Sequence, residues 1–219
     1  MNAGGPVPVR NSELSTTGGC SSFSNAKGEL LFYVGAPTPN ARNLTIWNRD
    51  NVPMPFSDVT SGGQTLKGDS SSSQSALTVP APTKDDIYYL FTVGATIGAA
   101  GEHGFWYYTV DMTKDGGFGD IVNGPIELHT PTLKDQWSEK VTAVRADACN
   151  TFWVISFATG NTFFAYKVDN IYAPESDSGI RYDDKELNID WGVEDSEVIV
   201  SEKDAELPFF LEFESPFTN

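Results

Sequence analysis

Short runs of β-branched and aromatic residues, separated by turn-forming residues, recur over most of this chain and narrow its folding options. The runs lie at 29–34, 44–47, 76–79, 87–93, 105–110, 140–144, 151–156 and 162–168. Between them stand turn sequences such as AKG at 26–28, KDGG at 114–117 and TGN at 159–161. Because such runs form strands and such turns join neighbouring strands, we predict an all-β, mostly antiparallel meander.

The strand runs also supply a candidate core. The residues placed there are Leu31, Phe91, Trp153 and Ile155. Two stretches rich in Gly, Ser, Ala and Thr, 57–75 and 95–104, interrupt the strand pattern. Because long connections without secondary structure usually run over the surface, we expect two long surface loops.

The charge of the chain limits its partners. Thirty acidic against fourteen basic residues give a formal charge of −16, which repels nucleic-acid phosphates, so nucleic acid is not an expected partner. No apolar run reaches the ~20 residues of a spanning helix, so membrane insertion is not expected either. The first residues, MNAGGP, lack the features of a secretory signal, so we expect a soluble chain or one trimmed of such a signal.

The two cysteines, Cys20 and Cys149, lie far apart in sequence, which excludes a CxxC metal clip or redox pair. Two interpretations stay open. One is a single long-range disulfide. The other, which we prefer, is two buried free thiols, because free cysteine is among the most buried residue types.

Neither a metal nor a cofactor is expected. The chain has two histidines and no Cys/His cluster, so a zinc site would need distant carboxylates. Asp111, Asp115 and Asp120 surround glycines, but their spacing does not fit an EF-hand loop, and a solvated acidic turn is the preferred interpretation. The sequence contains no GxSxG elbow, phosphate-binding loop or dinucleotide fingerprint.

Four polar residues lie in or beside the strand runs, namely Gln74, Asp111, Glu139 and Lys140. Polar groups among apolar strands need hydrogen-bond partners. We therefore expect these four residues to pair structurally rather than to bind a ligand.

Several motifs occur in a fixed order along the first three quarters of the chain. They include GCSSFS at 19–24, GELLFY at 28–33, IWNR at 46–49, SQSAL at 73–77, YYLFTV at 88–93, YTVDM at 108–112 and FWVI at 152–155. With these motifs, residues 19–168 resemble the propeller-like amino-terminal domain of gliding-motility-associated surface proteins. The resemblance implies an extracellular or cell-surface location.

The same resemblance implies a partial β-propeller or a sandwich. Because about three blades' worth of strands is too few to close a propeller, either the sheets pack as an open or sandwich-like body, or other copies in a homo-oligomer complete the assembly.

After residue 168 the composition changes, since Asp, Glu and Pro become dense and strand runs end. The motifs there are YAPESDSGIRYDD at 172–184, LNIDW at 187–191 and VSEKD at 200–204. These motifs closely resemble the end of dTDP-4-dehydrorhamnose 3,5-epimerase. That resemblance implies a jelly-roll as the alternative fold and deoxysugar chemistry as the alternative function.

The epimerase resemblance also assigns roles to residues. In that family a His base removes protons beside a keto group, a Tyr acts as acid on the opposite face, and a carboxylate orients the His. By position, Tyr166 matches the acid and Asp204 the orienting carboxylate. The family's RGLHYQ strand has no counterpart, which leaves His103 and His129 as candidate bases. Because His103 lies in a Gly-rich loop, no catalytic residue is favoured, and no ligand-binding residue is identified.

We divide the chain into an extension at 1–18, a β-blade domain at 19–168 and an irregular acidic tail at 169–219. The leading hypothesis is a non-catalytic binding or scaffolding module of a surface or multi-protein assembly, which recognises a protein or a glycan. The alternative is an epimerase-like enzyme acting on a dTDP-deoxysugar. A second alternative is a recombined or designed chain without an evolved function.

Overall fold

The computed structural model describes residues 11–95, 103–128, 137–146, 151–158, 162–169, 181, 183–187 and 208–212. Within these residues the fold is all-β, with three antiparallel sheets, a few short 3₁₀ turns and no α-helix. The chain divides into two compact units, Met1–Asn170 and Ile171–Asn219, and the three sheets belong to the first.

Each sheet is a meander of strands that are consecutive in sequence. The first sheet contains β1 (Ser21–Ser24), β2 (Leu30–Gly35) and β3 (Thr45–Asn48). The second contains β4 (Ala76–Pro80), β5 (Ile87–Val93), β6 (Phe105–Asp111) and β7 (Asp120–Glu127). The third contains β8 (Trp137–Arg145), β9 (Phe152–Ala158) and β10 (Thr162–Val168). The predicted all-β antiparallel meander is confirmed, and none of these described sheets closes into a barrel.

The strand runs of the sequence correspond to eight of these strands, and β1 and β7 were missed. β1 reads SSFS, with a single large apolar residue, and β7 contains Asn123, Gly124 and Pro125. Both strands lie at a sheet edge, where β1 pairs with β2 and β7 pairs with β6. Edge strands tolerate polar residues, Gly and Pro, so such strands carry a weak signal in sequence.

The second sheet is buried on both faces. Leu90 and Tyr108 pack with the first sheet in what we call core 1, whereas Phe91 and Phe105 pack with the third sheet in core 2. Strands buried on both faces need near-continuous apolar sequences, which β5 (IYYLFTV) and β6 (FWYYTV) provide. The three sheets therefore pack as a sandwich-like body around two cores.

The predicted core residues are only partly correct. Phe91 is buried, Leu31 is half-buried against core 1, and Ile155 is half-buried. The prediction for Trp153 is wrong, because this side chain is 38% exposed. Side chains alternate along β9, and the neighbouring Val154 takes the inward position in core 2.

The expectation of a surface loop over 57–75 is only partly correct, because residues 58–65 are exposed or half-buried but several residues of 66–75 are buried. The buried polar residues in this segment are Ser57, Asp69, Ser70, Ser72 and Ser75. Ser70 N donates to the Arg42 carbonyl at 2.8 Å, and Ser72 Oγ donates to the Gly94 carbonyl at 2.8 Å. A loop can be buried when its polar groups find such partners, which composition does not reveal. Most of the other predicted loop, 95–104, lies outside the described residues.

Asp69 is the charged residue at the centre of this segment. Its carboxylate is fully buried, and Oδ2 accepts a hydrogen bond from Arg42 Nε at 2.8 Å. Oδ1 accepts from the backbone N and the Oγ of Ser71, at 2.8 and 2.7 Å. The backbone N of Asp69 donates to the Val93 carbonyl at 3.0 Å. The side chain of Asp69 thus binds Arg42, which lies shortly before β3, and its backbone binds the end of β5.

The structural pairing expected of Gln74, Asp111, Glu139 and Lys140 is confirmed. Gln74 Oε1 accepts a hydrogen bond from Val141 N at 3.1 Å. Glu139 Oε2 accepts one from Ser73 N at 3.3 Å, and Lys140 Nζ contacts Ser73 Oγ. Asp111 Oδ1 accepts bonds from the backbone N and Oγ1 of Thr113. The first three residues join the buried loop to β8 of the third sheet.

The preferred interpretation of the cysteines as two buried thiols is wrong for Cys20, which is a free and exposed thiol. Cys20 directly precedes the edge strand β1, so it lies at the border of the sheet rather than in a core. Cys149 lies outside the described residues. Over the described ranges, no helix has the length and apolar composition of a membrane span.

The second unit is described at two short turn segments and Arg181. Asp184, 4% exposed, joins the two segments, because its carboxylate accepts backbone N–H groups of Glu186 and Leu187 at 2.9 Å and of Phe210 at 2.6 Å. These bonds, first among them that from Phe210, hold the pKa of Asp184 below its ordinary value. Arg181 lies 4.7 Å from the centre of the Phe209 ring.

We predict that Asp69→Asn lowers the free energy of unfolding by about 2 kcal/mol, because it removes one charge of a partly buried ion pair. Full loss of a buried pair costs more, but the Arg42 side chain is 43% exposed and water partly compensates it. Urea unfolding measures the change. Asp50→Asn, at an exposed site, is the matched control and should change little. Equal effects of both variants would contradict this role of Asp69.

A second prediction concerns pH and Asp184. Because the folded pKa lies below the unfolded one, the stabilisation from this carboxylate is complete above the unfolded value of about 3.9 and is lost as the pH falls through the folded pKa. Amide exchange at Phe210 in the full chain should lose protection over that acidic interval. Asp184→Asn should remove this dependence, whereas Asp183→Asn, next to it, should keep it. An unchanged profile in Asp184→Asn would contradict the assignment.

Candidate functional site

Four aromatic side chains from three strands form a cluster in core 2. The members of this Tyr166 cluster are Phe105, Trp137, Phe164 and Tyr166. Ring centres lie 5.3 Å apart for Phe105 and Trp137, 5.8 Å for Phe105 and Tyr166, and 5.2 Å for Trp137 and Phe164. β10 places alternate residues inward, so Phe164 and Tyr166 face the core whereas Phe163 is 73% exposed.

Two polar atoms of the Tyr166 cluster are buried without a hydrogen-bond partner. They are the Tyr166 hydroxyl and Trp137 Nε1, and Trp137 is only 1% exposed. Among the described residues, Thr92 Oγ1 and Ser138 Oγ share this condition. A buried polar group without a partner costs about 1–3 kcal/mol, so such groups usually meet a water molecule or a ligand. The cluster is therefore the candidate functional site of the first unit.

Burial also sets the protonation state of Tyr166. Desolvation raises the pKa of its hydroxyl above the ordinary tyrosine value, because the phenolate is unfavourable among aromatic rings. At neutral pH the hydroxyl is therefore protonated. In that state it can donate a hydrogen bond, or a proton to a developing carbanion or enolate.

His103 is anchored by its backbone surroundings. Its Nδ1 lies 2.8 Å from the Ala95 carbonyl oxygen. Because a carbonyl oxygen only accepts hydrogen bonds, Nδ1 carries the proton, and Nε2 of the neutral ring is the basic nitrogen. In sequence His103 stands two residues before Phe105 of the cluster. The Ala95 carbonyl thus positions the His103 ring, which the composition of the segment did not indicate.

The other two candidate residues, His129 and Asp204, lie outside the described residues. The structure describes the chain up to Leu128, the residue before His129. The backbone N of Leu128 donates to the Phe105 carbonyl at 2.7 Å. The pairing of Tyr166 with a histidine and a carboxylate therefore remains a prediction.

Sequence reasoning missed Trp137 and Phe105 as neighbours of Tyr166. Trp137 precedes the strand run at 140–144, and a register shift separates it from Val141 in the pairing of β8 with β9. This irregularity hides the alternation that otherwise marks inward positions. Phe105 was recognised only as part of a strand. The available signal was its place at the start of β6, next to a Gly and a His.

Two of the acidic residues considered as metal ligands, Asp111 and Asp120, instead accept hydrogen bonds from protein groups. Asp120 Oδ1 accepts hydrogen bonds from Phe56 N at 2.9 Å and Ile121 N at 2.8 Å. Asp111 caps the turn at Thr113, as described above. In the part of the chain that the structure describes, no three His, Cys, Asp or Glu side chains come together to form a metal site.

Comparison with known proteins gives one match. Residues 132–212 match a family model described as dTDP-4-dehydrorhamnose 3,5-epimerase. No curated protein and no solved structure matches the chain. The carboxy-terminal resemblance is thus confirmed, and the match begins earlier than its motifs, so that it includes β8–β10. Nothing in the comparisons supports the resemblance of residues 19–168 to surface proteins, which remains a hypothesis.

The position of the match separates the candidate residues into two groups. Tyr166 and Asp204 lie within the matched segment, whereas His103 and His129 precede it. The matched segment also covers less than half of the chain. A proton-transfer site would therefore combine matched and unmatched parts of the sequence.

Because the Tyr166 hydroxyl is buried without a protein partner, we predict that Tyr166→Phe does not lower the free energy of unfolding and raises it by up to about 1 kcal/mol. Tyr108→Phe is the matched comparison, since the buried Tyr108 hydroxyl accepts a hydrogen bond from Lys67 N at 2.6 Å. That variant should lose about 1–1.5 kcal/mol. Urea unfolding of both variants gives the difference. An equal loss in Tyr166→Phe would reveal a partner for its hydroxyl.

Proposed function

We propose that this chain is a relative of the dTDP-4-dehydrorhamnose 3,5-epimerases and binds a nucleotide-linked 4-keto-6-deoxysugar beside Tyr166. The observation that carries this proposal is the family match over 132–212. That segment supplies β8 and β10, and with them Trp137 and Tyr166 of the cluster. The buried Trp137 Nε1 and Tyr166 hydroxyl offer a sugar hydroxyl or keto oxygen two hydrogen-bonding groups between aromatic faces.

Tyr166 is the proposed acid of the reaction. Epimerisation beside a ketone breaks a C–H bond, moves its electron pair into an enolate and returns a proton on the opposite face. The second half of that sequence needs a group that is protonated at neutral pH. Tyr166 fits, because a tyrosine hydroxyl is protonated at neutral pH and burial, which raises the pKa of this one, keeps it so.

A histidine is the proposed base. Among the described residues His103 is the candidate, since its Nδ1 is held by the Ala95 carbonyl and its Nε2 is the basic nitrogen. His129 is the second candidate, and Asp204 is the proposed carboxylate that orients the histidine, by its position in the matched segment.

A second candidate function, binding without catalysis, is favoured by the surroundings of the Tyr166 hydroxyl. This hydroxyl has no hydrogen-bond partner among the described residues, so no described histidine or carboxylate is bonded to it. Binding of a sugar through this cluster requires the aromatic walls and the two polar atoms, but no histidine. The two functions therefore differ in their dependence on His103 and His129.

Solvent-deuterium incorporation at C3 and C5 of dTDP-4-keto-6-deoxyglucose tests the enzymatic proposal. We expect incorporation above a no-enzyme control, and a decrease of about 10²- to 10⁴-fold when the base is removed in His103→Ala or His129→Ala. Tyr166→Phe should lower return of the proton, and therefore net epimerisation, by a comparable factor. Tyr89→Phe, a half-buried tyrosine of the same core, is the matched control and should retain activity.

Binding of the same sugar nucleotide separates the remaining outcomes. Saturable binding that weakens in Tyr166→Phe without any deuterium incorporation would favour the non-catalytic function. No binding and no incorporation would reject both. Incorporation that persists in both histidine variants would reject histidine as the base.

A further inference from the structure

A polar cleft of about 380 Å³ lies in the first unit, along the isolated bridge between Leu44 and Leu66. The polar side chains that line it belong to Arg42, Asn43, Gln64, Thr65, Lys67 and Asp69. Its volume falls in the usual range for small-molecule sites, about 300–1,000 Å³. This Arg42 cleft shares no residue with the Tyr166 cluster, so it stands independently of the proposed function.

Arg42 is held in a fixed orientation at this cleft. Its Nε donates to the buried Asp69 at 2.8 Å and its Nη2 to Ser71 Oγ at 3.3 Å. Its carbonyl accepts from Ser70 N at 2.8 Å, so backbone and side chain are both positioned. A guanidinium has five N–H donors, and the described hydrogen bonds of Arg42 use two of them. The rest remain for a ligand on the 43%-exposed side chain.

The opposite wall of the cleft is equally well positioned. Lys67 N donates to the hydroxyl of the fully buried Tyr108 at 2.6 Å, which fixes the backbone below the Lys67 side chain. Gly68 adopts a φ of +116°, and a Cβ at this position would lie 3.0 Å from Leu44 Cδ1. The positive φ and the close approach to Leu44 together favour glycine at this position.

We propose that the Arg42 cleft binds a monosaccharide that carries a carboxylate. The planar fork of an arginine matches a carboxylate, and a lysine adds a second positive charge. Arg42 and Lys67 place two cationic side chains at this cleft, and the Asp69 carboxylate beside them is buried. The side-chain amides of Asn43 and Gln64 and the hydroxyl of Thr65 both donate and accept hydrogen bonds, as sugar hydroxyls require.

Titration of the full chain with methyl glucuronide, methyl glucoside and inorganic phosphate tests this proposal, with backbone amide shifts of Thr65, Lys67 and Gly68 as the readout. We expect the glucuronide to bind at least about tenfold more tightly than the glucoside, since the two differ only by the carboxylate. Equal affinities would overturn the role of the carboxylate. Phosphate binding as tightly as the glucuronide would overturn the role of the sugar.

Variants locate the binding. Lys67→Gln and Gln64→Ala, at exposed positions, should each weaken glucuronide binding several-fold, whereas Lys84→Gln, a matched exposed lysine outside the cleft, should not. Arg42→Lys keeps a charge for Asp69 but removes the fork, so it should weaken the glucuronide more than the glucoside. Unchanged affinity in Lys67→Gln and Gln64→Ala would overturn the site, whether or not Arg42→Lys folds normally.

Discussion

The buried carboxylate of Asp69 binds Arg42, which is distant from it in sequence, and so ties the loop around Asp69 to the chain before β3. A charge in a protein interior is tolerated only when it is paired and hydrogen-bonded, and Asp69 meets this condition with Arg42 and Ser71. The neighbouring serines extend the network, because Ser72 bonds Gly94 after β5 and Ser73 contacts Lys140 of β8. The buried loop therefore contributes links to all three sheets.

The second sheet is covered on one face by the first sheet and on the other by the third. β5 and β6 therefore separate core 1 from core 2. The polar groups found near the two cores differ in their surroundings. Beside core 1, the Arg42 cleft contains a guanidinium that is positioned by hydrogen bonds to Asp69 and Ser71. Within core 2, Tyr166 and Trp137 carry polar atoms into aromatic surroundings where the protein offers no partner. Both sites present unused hydrogen-bonding capacity, one in an open cleft and one in the interior.

The family match adds chemistry to one of these sites. Its segment contains the proposed acid, Tyr166, while the only histidines, His103 and His129, come from the sequence before it. Phe105 provides the structural connection, because it contacts Tyr166, stands two residues after His103 and accepts a hydrogen bond from Leu128. An epimerase-like reaction in this chain would therefore depend on the packing of β6 against β10, which neither segment determines alone.

The sequence by itself determined the fold class, most strands and the similarity of the carboxy-terminal segment to the epimerase family. These depend on local patterns of apolar residues and on contiguous motifs. Only the tertiary structure decided the burial of Asp69, the exposure of Trp153 and the meeting of Trp137 with Tyr166. Each of these features depends on which distant parts of the chain pack against the residue in question. A run such as FWVI at 152–155 predicts a strand, but which face meets a second sheet is decided by that sheet.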